Sequence, residues 1–124
     1  MHDSAALTGL QLAVLDVLWE QGEATTHDVW SQVSLRRPLA LTTIATVLSR
    51  LERKNVLDHR REGRQYVYWA TVSRHDVRRS KIRELVETLF DGNPAELVGH
   101  VVRANGIDED GMRRLRLLLD DSAS

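Results

Sequence analysis

Two threonines and two arginines share one face of a predicted helix near the middle of the chain. Thr43, Thr46, Arg50 and Arg53 are spaced i, i+3, i+7 and i+10, so they line one ridge of the helix. Threonine offers a hydroxyl and a methyl group to base edges, and arginine can bind guanine through two hydrogen bonds. This ridge is therefore a candidate for reading DNA in the major groove, and an ordinary solvated face is the alternative.

An apolar stripe on the opposite side would anchor this helix to a protein core. The helix is predicted from about Thr42 to Asn55, and its apolar residues recur at i, i+3, i+4 and i+7, which is the period of a single buried face. The stripe consists of Ile44, Val47, Leu48 and Leu51. The polar ridge must then point away from the core, and Thr42 joins it as a further DNA-binding candidate.

An arginine-rich hairpin is predicted directly after this helix. Its strands run from about Val56 to Arg60 and from Gln65 to Trp69, because β-branched and aromatic residues favour strands and Gly63 suits a tight turn. Arginines stand on both sides of the turn, namely Arg60, Arg61 and Arg64. They are candidates for contact with phosphates or the minor groove, and a solvated hairpin tip is the alternative.

Two earlier helices would support the ridge and the hairpin. The first has Thr8 as its cap and Gly22 as its stop, and the second begins after Thr25, where Asp28 completes a variant of the capping box. The start of such a helix can also bind phosphate, so Thr25 and Thr26 are DNA-binding candidates. Capping alone explains Thr25 equally well.

Charge is distributed unevenly along the 124 residues. Positions 36–83 hold 13 Lys or Arg and 4 Asp or Glu, whereas the other positions hold 4 bases and 14 acids, and the net charge is -1. Phosphate binding requires cations clustered in this way. Together with the order of elements, the cluster predicts a winged helix-turn-helix domain that binds double-stranded DNA over residues 1–72. The basic residues Arg74, Arg78, Arg79, Lys81 and Arg83 either extend the DNA footprint or pair with acidic surface of the same or a partner chain.

Only helices are predicted from Ser73 onward, over about Ser73–Phe90, Ala95–Ala104 and Asp108–Leu119. Short helices of this kind bury little by themselves, so we expect their apolar faces to meet a second copy of the chain. The interface candidates are Leu85, Leu89, Phe90, Leu97, Val98, Val101, Met112, Leu115, Leu118 and Leu119. The predicted fold is thus mainly α with a small β hairpin, a winged helix-turn-helix domain followed by an all-α dimerisation domain over residues 73–124.

The composition excludes several other classes of protein. There is no apolar run of about 18 residues that could span a membrane, and Met1 to Ala6 carry no export signal. Cysteine is absent, and the five histidines show no metal-ligand spacing. No catalytic constellation is visible. We therefore expect a cytoplasmic protein that is not an enzyme, with no cofactor, no metal and no membrane partner.

The chain resembles the penicillinase-repressor family, which includes the BlaI/MecI type and copper-responsive CopY-type relatives. The matching segments are Leu7-Thr8, Val14-Leu15, Leu18-Trp19, Thr42 to Leu48 with Arg50-Leu51, and Gly63 to Tyr68. The resemblance implies a homodimeric transcriptional repressor that binds palindromic operators of genes such as those for β-lactam or metal resistance. The alternative function is a winged-helix module for protein–protein interaction without specific DNA binding.

Two departures from the family pattern leave the inducing signal open. Members controlled by a membrane sensor protease are cut at an Asn-Phe bond, and His100-Val101 stand at the aligned position. Copper-responsive relatives use cysteine motifs, which this chain lacks. The resemblance therefore names no sensor or protease partner for this chain.

Overall fold

Six helices and three short strands make up residues 7–123, the part of the chain that this computed structural model describes; side chains are described for residues 7–120. In chain order the elements are α1 Gly9–Gln21, β1 Ala24–Thr25, α2 Thr26–Val33, α3 Leu41–Arg53, β2 Leu57–Glu62, β3 Gln65–Ala70, α4 Arg74–Leu89, α5 Pro94–Asn105 and α6 Glu109–Ala123. Residues 1–6 and residue 124 lie outside the described residues. They are the outer ends of the two expected domains, and residues 1–6 include the segment in which we expected no export signal. No helix within residues 7–123 combines the length and apolar character needed to cross a membrane.

The first two helices begin at capping boxes. The Thr8 hydroxyl accepts a hydrogen bond from the Gln11 backbone amide at 3.2 Å, and the Gln11 side chain accepts one from the Thr8 amide at 3.0 Å. Thr25 and Asp28 exchange the same pair of bonds, at 3.1 and 3.2 Å, before α2. Each box satisfies two backbone amides that a helix start leaves without partners, so both predicted helix starts are confirmed.

The strands form an antiparallel sheet in the order β1-β3-β2. β2 and β3 pair from Leu57 opposite Ala70 to Glu62 opposite Gln65, which confirms the predicted hairpin and the mainly α class. β1 adds a third strand that we did not expect. It contributes only Ala24 and Thr25, too few residues for an alternating pattern to show in the sequence.

One hydrophobic core lies between the first three helices and the sheet. Its fully buried side chains come from each of these helices and from the start of the hairpin, and they are Val14, Leu15, Leu18, Val29, Ile44, Leu48, Leu51 and Val56. The predicted stripe of α3 is buried as a whole. Since this core fixes one face of α3, it also determines which face remains exposed.

The chain forms two compact units that divide between Ile82 and Arg83, within α4. The reason is that the first turns of α4 belong to the first unit. Val77 is buried in its core, and the Lys81 ammonium donates to the Leu7 carbonyl at 2.6 Å. These contacts fasten the beginning of α4 to the first helix and the residue before it.

Trp19 provides a further link within the first unit, because its indole N–H donates to the Val72 carbonyl at 2.9 Å. We expect Trp19→Phe to lower the free energy of unfolding by about 1 kcal/mol through loss of this bond. Urea unfolding followed by circular dichroism measures the effect. Trp69→Phe is the control, because no acceptor for its indole is found in the described part of the chain; an equal loss in both variants would contradict the assignment.

The second unit comprises the end of α4 with α5 and α6. Among residues 83–120 only Val86 is buried, although the helices carry many leucines and valines. α5 begins with Asn93 as its cap and ends at Gly106, which has a positive φ of 59°. Large apolar side chains are therefore left exposed within this unit, namely Leu85, Leu89, Val98, Val101, Leu117, Leu118 and Leu119.

Candidate nucleic-acid interface

The polar ridge of α3 is exposed at four of its five residues. Thr42, Thr46, Arg50 and Arg53 are exposed and Thr43 is half-buried, while the opposite stripe of the helix is buried. The structure thus brings all five predicted residues to the outward side of one helix. Both arginines lie in the last turns of this helix, where cations interact favourably with the helix dipole.

Thr46 makes a bond within its own helix that limits what it can offer a base. Its hydroxyl donates to the Thr42 carbonyl at 3.0 Å, so the hydroxyl hydrogen is already used. What remains is an acceptor oxygen and a methyl group, and a methyl group suits apolar contact with the methyl of thymine.

Bonds to neighbouring elements fix both ends of α3. Before the helix, the Trp30 indole donates to the Leu39 carbonyl at 2.7 Å and holds the connection from α2. After it, the Lys54 ammonium donates to the Gln11 side chain at 3.2 Å and the Thr71 hydroxyl donates to the Asn55 carbonyl at 3.1 Å. These bonds run to α2, α1 and the end of β3, so the exposed ridge is held by rigid parts of the unit.

The hairpin arginines differ in their partners. The Arg60 guanidinium binds both carboxylate oxygens of Glu23, binds Glu62 at 2.7 Å, and lies 5.8 Å from the centre of the Trp69 ring. Arg61 donates through Nε to the carbonyl of Gly63 at 3.0 Å. Arg60 was predicted to contact DNA. Its positive charge is already balanced by two acidic side chains.

The ion pair of Arg60 with Glu23 also shifts the pKa of both side chains. The hydrogen bond from Arg60 holds the pKa of the Glu23 carboxyl below its usual value, and the bonds from Glu23 and Glu62 raise the pKa of Arg60. Because the pKa of Glu23 is lower in the folded chain, the pair contributes at neutral pH and its contribution is lost as the pH falls through that lowered pKa. The pair is solvent-exposed, so the contribution is small. Glu23 was not predicted, because 37 residues separate it from Arg60 and no local pattern links them.

Arg64 differs from Arg60, because its positive charge is not balanced by an ion pair within the described residues. Its side chain is exposed, and no acidic group of residues 7–120 forms an ion pair with it. It follows Gly63, whose φ of 62° makes the turn. Of the three hairpin arginines, Arg64 is the one best suited to meet a phosphate.

The start of α2 serves mainly as a capped helix end. The Thr25 hydroxyl accepts the Asp28 amide, and both Thr25 and Thr26 are half-buried. Capping therefore accounts for Thr25, while contact of either threonine with DNA stays a prediction.

Within the first unit, the predicted arginine cluster of α4 is partly used inside the chain. Arg74 pairs with Asp16 at 3.4 Å and with Glu20 at 3.3 Å, and its guanidinium lies 5.3 Å from the Trp19 ring. Arg78 and Arg79 are exposed. Arg74 thus pairs with acidic surface of the same chain, which was one of the two expectations for this cluster.

Comparison with known proteins gives consistent matches over most of the chain. The family model described as penicillinase repressor matches residues 7–121. The transcriptional regulator BlaI of Mycobacterium tuberculosis is 35% identical over 87% of this chain and 80% of its own length. The penicillinase repressor of Bacillus licheniformis is 24% identical over 93% of this chain and 90% of its own length.

A solved structure of a DNA-binding domain matches a large part of the chain. The solution structure of the DNA-binding domain of the repressor BlaI is 30% identical, has a TM-score of 0.55, and covers 61% of this chain and 93% of that domain. The winged helix-turn-helix architecture expected from the sequence is thereby confirmed.

Proposed function

Because this chain belongs to the penicillinase repressor family, whose members are DNA-binding transcriptional repressors and not enzymes, we propose that it acts as a homodimer on a palindromic operator. Each α3 enters a major groove and each hairpin contacts the flanking backbone. One observation carries this proposal, namely the exposed ridge of Thr42, Thr46, Arg50 and Arg53 opposite a fully buried stripe. Its side chains combine the donors, acceptors and methyl groups that read base edges.

The second unit supports the homodimer. Its exposed leucines and valines would lie in water in a single chain, and a symmetric interface with a second copy would bury them. A symmetric dimer buries the same patch twice and presents two copies of α3 to one duplex. The spacing of the two half-sites should then be about one helical turn of DNA or a multiple of it.

Binding of the full chain to DNA from its own promoter tests the proposal. In fluorescence anisotropy, an inverted repeat from that region should bind two chains at nanomolar concentration, whereas a shuffled duplex of equal length should bind far more weakly. Contact with six or more phosphates should weaken binding about a thousandfold between about 50 and 200 mM salt. Equal affinity for both duplexes, or affinity insensitive to salt, would favour the protein-interaction alternative.

The hairpin arginines give a separate prediction. We expect Arg64→Ala to reduce the slope of log K against log salt by about one, because one phosphate contact is lost. Arg60→Ala should change this slope less, because Glu23 and Glu62 already compensate its charge. Anisotropy at four or more salt concentrations measures both slopes. A larger change for Arg60→Ala than for Arg64→Ala would show that the ion pair opens on DNA.

A further inference from the structure

A cluster of three metal-ligating side chains lies where the end of α3 meets the start of β2. It consists of Glu52 from the last turn of α3 and of Asp58 and His59 from β2. One ligand atom from each residue lies within 4.8 Å of the other two. Nothing in the operator-binding role requires these residues, and none belongs to the polar ridge of α3.

Neighbouring groups orient the donors. The backbone amide of His59 donates to the Asp58 carboxylate at 2.8 Å, which turns this carboxylate back toward the histidine. The His59 ring lies between two tyrosines, with centroids 4.7 Å from Tyr66 and 5.4 Å from Tyr68. Its Nδ1 atom is in direct contact with a carboxylate oxygen of Glu52. The three donor atoms thus lie close together, within 4.8 Å of one another.

The chemistry of this donor set suits a divalent cation. The contact of His59 with Glu52 does not involve Asp58, whose exposed carboxylate lies within 4.8 Å of both. A divalent cation balances both carboxylates and accepts the neutral imidazole nitrogen. One nitrogen and two oxygens suit zinc, whose donors lie about 2 Å from the ion and therefore roughly 3 to 4 Å from one another. The Nδ1 atom of His59 and the Glu52 oxygen, which are in direct contact here, would move apart to that spacing when the ion binds.

We infer that Glu52, Asp58 and His59 form a binding site for one divalent transition-metal ion of the zinc type, with water completing the coordination. Three protein ligands with an open position give a site that exchanges its ion. Since the ligands come from α3 and β2, the bound ion joins the end of the helix to the beginning of the hairpin.

Isothermal titration calorimetry of the full chain with zinc chloride tests this inference. We expect one zinc ion per chain in the wild type, and affinity at least about tenfold weaker in Asp58→Asn, Glu52→Gln and His59→Ala. The two amide substitutions preserve side-chain shape and remove only the charge, so they guard against misfolding of the histidine variant. His75→Ala is the matched control, because His75 is an exposed histidine of the same unit, and it should bind zinc like the wild type.

Thermal unfolding gives a second readout that does not depend on DNA. Zinc at a concentration that saturates the wild type should raise the unfolding midpoint of the wild type and of His75→Ala, and should raise that of Asp58→Asn clearly less. No binding to the wild type below millimolar zinc would overturn the inference, because Glu52 and His59 would then form only an ion pair. Equal zinc affinity in the wild type and all three ligand variants would also overturn it, because the ion would bind elsewhere.

Discussion

Replacing Arg50 with alanine is expected to weaken binding to the operator by about 1 to 3 kcal/mol, which is roughly 5- to 150-fold in the dissociation constant. Arg50 is exposed on the polar ridge of α3, and no acidic side chain of residues 7–120 forms an ion pair with it. Its guanidinium can therefore bind guanine through two hydrogen bonds, and this contact is made to the correct base only. The loss should accordingly be larger for the operator than for a shuffled duplex.

Fluorescence anisotropy with both duplexes measures this difference, and Arg113→Ala is the control. Arg113 is also exposed, at 70% of its side chain, but its ion pair is with Asp110 one turn away on α6. Arg113→Ala lowers the net charge by the same amount as Arg50→Ala and leaves α3 unchanged. If Arg50→Ala bound the operator as tightly as Arg113→Ala does, the ridge would not be the surface that reads DNA.

Replacing Leu119 with aspartate is expected to convert the proposed homodimer largely to monomer. The Leu119 side chain is 59% exposed in the single chain, and burial of one leucine at an interface contributes about 1.5 to 3 kcal/mol. The variant loses this contribution and places an uncompensated carboxylate against apolar surface. The dimer dissociation constant should therefore rise by about 100-fold or more.

Sedimentation equilibrium measures the dissociation constant directly. Leu35→Asp is the matched control, because Leu35 is 79% exposed but lies in the first unit, between α2 and α3. It should leave the oligomeric state unchanged. A Leu119→Asp chain that dimerises like the wild type would place the interface elsewhere, and dissociation of the Leu35→Asp chain would implicate the first unit.

Local patterns in the sequence were sufficient to predict the elements that present the candidate site. Thr8 and Thr25 each precede a helix at the capping distance, and the stripe from Ile44 to Leu51 follows the helical period. Gly63 marks the hairpin turn, where its φ is positive. Each of these features depends on residues close together in the chain, which is why sequence alone was enough.

The features that sequence did not predict depend on residues far apart in the chain or on very short elements. The ion pair of Arg60 with Glu23 could not be predicted from the sequence, because it depends on β1 and β2 lying on the two sides of β3 in the sheet. Glu52 and His59 are close in the chain, yet they meet only because the chain reverses between α3 and β2. The division within α4 depends on contacts such as that of Lys81 with Leu7, 74 residues earlier. The spacing of apolar residues along the sequence gives no indication of such tertiary contacts.

The side-chain oxygen of Gln11 accepts bonds from the Thr8 amide and from the Lys54 ammonium, and this has a consequence for cooperativity. The cap that starts the first helix and the anchor that ends the third share one acceptor atom. Unfolding at the start of α1 should therefore also loosen the end of α3, the helix proposed to contact DNA. Melting of α1 and loss of DNA binding should accordingly be coupled within the first unit.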